Sequence, residues 1–151
     1  VTQLDPSRVF LDTNVFLIAT DSSRQQRRSA LFALEQWPSL GTRTYTSTQV
    51  MREYLVVATR PTKANGLGLA LDQAMANVEQ FGHAVTLLTE TTKTWNQLCA
   101  LLGSSQLTGT RIHDANIAAC ALANGVSALL TANTADFAKL PLTVIDLVSL
   151  G

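Results

Sequence analysis

Short runs of apolar residues with no polar alternation are spaced along this chain by stretches with helical periodicity, and that alternation constrains the fold most. The last third is clearest: a small-residue helix "IHDANIAACALANG", a run "VSALLT", a loop "ANTADF" and a final run "LTVIDLV". Runs that are apolar at every position predict strands covered on both faces, because a half-exposed strand would alternate polar and apolar residues. The same alternation appears earlier. "RVFLD" (8–12) predicts a first buried strand with an apolar helix after it, 22–37 a helix, and 44–47 a second strand. "QVMREYLVVATR" predicts a helix running into Pro61, then a loop at "PTKANGLG" and a helix from Leu69 through Phe81. A strand over 84–88, a helix "TTKTWNQLCALLG" closed by Gly103, and a loop at 104–110 complete the pattern. Strands alternating with helices predict an α/β three-layer α/β/α sandwich around a mainly parallel sheet, with sites at the carboxyl ends of the strands.

At 151 residues and 46% hydrophobic content the chain is sized for one domain spanning 1–151. Neither repeats nor linkers divide it. Eleven basic residues balance eleven acidic ones, so no global positive field marks a nucleic-acid binder; such a partner would need a local basic patch or metal ions. Cys99 and Cys120 lie in apolar helical stretches without C-x-x-C spacing, which predicts buried free thiols in a reducing compartment. The lack of a basic segment before an apolar one, and of any run near the ~20 apolar residues of a membrane span, predicts a cytoplasmic protein with no membrane partner.

Four carboxylates recur at element junctions: Asp12 after the first strand, Glu53 in the helix after the second, Asp114 opening the small-residue helix, and Asp136 after "VSALLT". All four would face the carboxyl edge of the sheet. Neighbouring carboxylates repel and raise one another's pKa unless a cation neutralises them, and a set of hard oxygen donors suits Mg²⁺ or Mn²⁺. Each has a plainer reading alone. Asp12 starts an Asx turn or helix cap, Asp114 answers a helix macrodipole, Glu53 falls at the border of an apolar arc, and Asp136 opens a turn. Their shared location favours a site.

The stretches "VFLDTNV", "TSTQVMREYL", "TGTRIHDANIAACALANGV" and "LLTANTADF" together make the chain similar to the PIN-domain family of metal-dependent ribonucleases, and within it to VapC-type toxins of toxin–antitoxin pairs. The resemblance implies a Mg²⁺- or Mn²⁺-dependent endoribonuclease that leaves a 5′-phosphate and a 3′-hydroxyl. Asp12, Glu53 and Asp114 would be its acidic metal-site residues. Thr131 matches the family's conserved hydroxyl, and either Asn133 or Asp136 supplies the last polar group, Asn133 standing where many members have Asp. Asn14 and Ser47 or Thr48 would orient the carboxylates. The resemblance further implies RNA as substrate, a cognate antitoxin protein covering the site, and a homodimer.

A polyanionic substrate at an acidic pocket needs nearby cations. Arg24, Arg27 and Arg28 form the densest basic group, with Arg60, Lys63 and Arg111 near loops; a solvated helix face is the plain alternative for the three arginines. Two other functions compete with the ribonuclease. A haloacid-dehalogenase-like phosphatase also ends its first strand in aspartate, but needs a second aspartate two residues on, where this chain has Asn14. A non-catalytic PIN-like module binding RNA or protein would have no use for the retained carboxylates, whose repulsion costs stability.

Overall fold

A computed structural model describes residues 7–150. Five strands form one sheet: β1 (Arg8–Leu11), β2 (Arg43–Ser47), β3 (Thr86–Leu88), β4 (Ala128–Thr131) and β5 (Thr143–Asp146). All pairings are parallel, in the order β3-β2-β1-β4-β5. The two middle runs are the most apolar for that reason. Val9, Phe10 and Leu11 of β1, and Leu129 and Leu130 of β4, have no exposed surface because both sheet faces are covered.

The connecting helices are α1 (Thr13–Thr20), α2 (Arg27–Glu35), α3 (Thr48–Thr59), α4 (Leu71–Phe81), α5 (Thr92–Ser105) and α6 (Arg111–Ala123). The path β1→β2→β3 advances one way across the sheet, whereas β3→β4 crosses back. Right-handed crossovers therefore put α1–α4 on one face and α5–α6 on the other. The packing agrees: α1 meets α2 and α3, α3 meets α4, and α5 lies along α6. The first layer is centred on aromatics, with Phe16 and Phe81 ring centroids 4.9 Å apart and Tyr54 edge-on to Phe81 at 5.3 Å. On the other face, buried Ala115, Ala118, Ala119 and Ala121 leave α6 without bulk, so it can sit close to the sheet.

Several boundaries differ from the sequence expectation. The helix expected over 22–37 covers only Arg27–Glu35, since residues 21–26 form turns and Trp37 belongs to a 3₁₀ turn. The strand expected over 84–88 is shortened to Thr86–Leu88, because the Ala84 and Val85 amides bond back to the Phe81 carbonyl. Gly103 does not close α5. The helix runs on to Ser105, and Gln106 takes the left-handed conformation at φ 60°. "ANTADF" holds a 3₁₀ turn over Thr134–Phe137. Both cysteines are free, but Cys99 is exposed; only Cys120 is buried, which pushes its thiol up to about 11. Among the described residues no helix is long and apolar enough to cross a membrane.

Candidate active site

The sheet order reverses direction between β1 and β4, so the chains leaving those strands diverge and open a crevice at their carboxyl ends. Leu11 pairs with Leu130, and the Asp12 amide donates to the Leu130 carbonyl (3.1 Å). Asp12 and Thr131, far apart in sequence, are thereby fixed side by side.

Asp12 caps α1, as its plain local reading expects, and its second carboxylate oxygen is held by partners from elsewhere in the chain. Its Oδ1 accepts from the Thr13 amide at 2.8 Å. Its Oδ2 accepts from the Thr131 hydroxyl (2.8 Å) and from Asn14 Nδ2 (3.2 Å). Asn14 Nδ2 also donates to Thr131 Oγ1 (3.0 Å), and Asn14 Oδ1 accepts the Ala132 amide (3.0 Å). The Asn133 amide closes the lattice on Thr131 Oγ1 at 3.0 Å. Among the described residues every donor to Asp12 is neutral. Burial consequently pushes its carboxyl up to about 6; the Glu53 and Asp114 charges add to the rise, and hydrogen bonds from Thr131 and Thr13 oppose it.

Glu53 reaches the same crevice from α3, whose start is fixed by the buried Ser47 hydroxyl accepting the Val50 amide (3.3 Å). Thr13 Oγ1 donates to Glu53 Oε2 (2.8 Å) and Gln49 Nε2 to Oε1 (3.0 Å). Asp114, in the first turn of α6, is paired differently. Arg111 Nε lies 3.3 Å from Asp114 Oδ2, and Arg111 Nη1 lies 3.3 Å from Asp136 Oδ1. Arg111 Nη2 donates to the Asp136 carbonyl (3.1 Å), so one guanidinium ties the 3₁₀ turn to α6. Partial burial raises the Asp114 carboxyl and the Asp136 charge adds to this, while Arg111 pulls the other way.

The crevice thus gathers Asp12, Asn14, Thr131 and the Asn133 backbone, with Glu53 held beside them and Asp114, Asp136 and Arg111 along the rim. Ser47 acts as a cap behind Glu53. Arg24, Arg27 and Arg28 are not brought in: they follow the far end of α1, and Arg27 Nε is spent on the Ala19 carbonyl (3.0 Å). His113 is exposed. Thr13, Gln49 and Asn116 escaped sequence reasoning. The available signals were a glutamine one helical turn before Glu53 and a lone amide in an alanine-rich helix.

The donor set is oxygen only and suits a hard cation, and the ion pairs among the described residues leave Asp12 and Glu53 uncompensated. Among the described residues no three His, Cys, Asp or Glu side chains converge on one point; Arg111 holds Asp114, and neutral partners hold Glu53. The chemistry of the residues fits a divalent ion, for which Asp114 would have to give up its partly exposed arginine.

A family model for the PIN domain matches residues 9–141, a span containing all four carboxylates. The chain belongs to the PIN-domain family. This PIN domain is similar in fold to VapBC2 from Rickettsia felis bound to a promoter DNA fragment, with a TM-score of 0.69 and 19% identity over 92% of this chain and 98% of that one. It is also similar to a toxin–antitoxin complex from Klebsiella pneumoniae (TM-score 0.61, 27% identity, 92% and 97% covered). A third similar structure is Mycobacterium tuberculosis VapC20, a sarcin–ricin loop cleaving toxin (TM-score 0.58, 16% identity, 80% and 86% covered). No curated protein matches the chain. Family membership sets the phosphatase reading aside. Asn14, where that reading needs a second aspartate, commits its amide to Asp12, Thr131 and Ala132.

Proposed function

We propose that this PIN domain is a Mg²⁺- or Mn²⁺-dependent endoribonuclease and the toxin of a toxin–antitoxin pair. The observation that carries the reading is a buried aspartate without a cationic partner, at the point where the sheet order reverses, with three more carboxylates around it. Asp12, Glu53, Asp114 and Asp136 would hold the cation. When bound, such an ion polarises the scissile phosphate and lowers the pKa of water.

The chain's own residues do the rest. Thr131 and Asn14 hold the Asp12 carboxylate in one orientation, and Thr13 with Gln49 holds Glu53 beside it, so neither reorganises as charge develops on the phosphate. Arg111, reaching across the rim with part of its surface exposed, is a basic group beside the carboxylates that an RNA phosphate would approach. The similarity to toxin–antitoxin structures supports a cognate antitoxin as partner, and an acidic crevice suits a basic side chain from it. We extend the same reading to a homodimer and to a single domain over the whole chain.

Cleavage of structured RNA with Mg²⁺ or Mn²⁺, comparing the parent with Asp12→Asn and Asp114→Asn, tests the reading. Metal-dependent cleavage lost in both variants is expected. Equal cleavage by all three would overturn it.

A further inference from the structure

We infer that Gln49 is a positioning residue for Glu53, held in place by Asn116, and that this amide relay sets how tightly the site takes a divalent cation. The inference rests on the metal-dependent nuclease reading. Gln49 is 3% exposed, and three of its contacts determine its orientation. Its Nε2 donates to Glu53 Oε1 (3.0 Å) and to the His113 carbonyl (3.1 Å), and its Oε1 accepts from Asn116 Nδ2 (2.7 Å). A flipped amide would aim oxygen at a carboxylate and a carbonyl and nitrogen at a donor, so only this orientation is satisfied.

The relay is a tertiary bridge. Gln49 stands one turn before Glu53 on α3, whereas His113 and Asn116 belong to α6, the helix that carries Asp114. One buried amide therefore ties the elements bearing two of the proposed ligands. Asn116 Nδ2 also donates to Glu90, just past β3, which carries the relay to the protein surface. The restraint on Glu53 is neutral as well as rigid. Asp114 is partnered by a guanidinium that a cation must displace, but an amide orients Glu53 without cancelling its charge.

The test is Mn²⁺ titration by calorimetry without RNA, on the parent, Gln49→Met and Asn116→Ala. Methionine keeps the length and apolar bulk of the side chain and removes its hydrogen bonds. Gln49→Met is expected to bind Mn²⁺ about 10–100-fold more weakly, with Asn116→Ala shifted the same way by less. Saturating Mn²⁺ should restore RNA cleavage by Gln49→Met, the signature of positioning. Parent-like Mn²⁺ affinity in Gln49→Met overturns the inference and leaves the nuclease reading standing. If Gln49→Met does not fold, Asn116→Ala decides by the same criterion. A parent that neither binds Mn²⁺ nor cleaves RNA overturns both.

Discussion

The two sides of the crevice hold their carboxylates by opposite means. Asp12 lies in a buried lattice of neutral donors, with Thr131 as its hub, and its charge meets no counter-charge, so its pKa is raised. Asp114 and Asp136 sit at the rim, 24% and 37% exposed, and share one arginine. The buried side gains precision and loses stability, because a charge with no counter-charge is kept out of water. The rim side is compensated in advance but is screened by solvent and salt.

The largest test of this contrast is Asp12→Asn. RNA cleavage should fall by at least about 10²-fold, as expected when several kcal/mol of charge stabilisation are lost. The metal-free protein should nonetheless melt higher at neutral pH. The folded carboxyl holds its proton up to about 6 against an ordinary 3.8, so the fold bears no charge penalty below 3.8. That penalty grows between 3.8 and about 6 and levels off at about 3 kcal/mol above it. Melting curves across that window should therefore show the variant's advantage appearing with rising pH; an advantage independent of pH would refute the buried-charge account.

Thr131→Val, nearly isosteric, should cost about 2 kcal/mol in denaturant unfolding, since it strips a donor from Asp12 and leaves the Asn133 amide unpaired. Ser47→Ala should cost about 1 kcal/mol by uncapping the helix that carries Glu53. Smallest is Arg111→Gln. Its ion pairs are partly exposed, so stability should change by less than about 1 kcal/mol, and that difference should shrink in high salt. The Asp114 carboxyl should titrate higher by NMR once Arg111 is gone, with no comparable movement at Asp12.

Strands β1 and β4 were legible because burial on both faces demands unbroken apolar runs, and "VFL" and "ALL" could be little else. Asp12 was legible as a carboxylate directly after a buried strand, whereas Glu53 and Asp114 stand on helices and join it only through the fold. Helix ends were less so: Gly103 reads as a stop, yet α5 passes it and Gln106 takes the left-handed position a glycine would favour. Gln49 and Asn116 were invisible as partners, as nothing within a few residues of either tells which amide it will meet.

Local sequence by itself determined the alternating α/β plan, the Asp12 cap and the Arg111–Asp114 pair one turn apart on α6. These follow from periodicity and capping, which act over a few residues. Only the tertiary structure decided that β1 lies beside β4, that Thr131 holds Asp12, that Arg111 reaches Asp136, and that Gln49 spans α3 and α6. Those pairings depend on strand order and register, which arise from the packing of the whole sheet and leave no trace in any one segment.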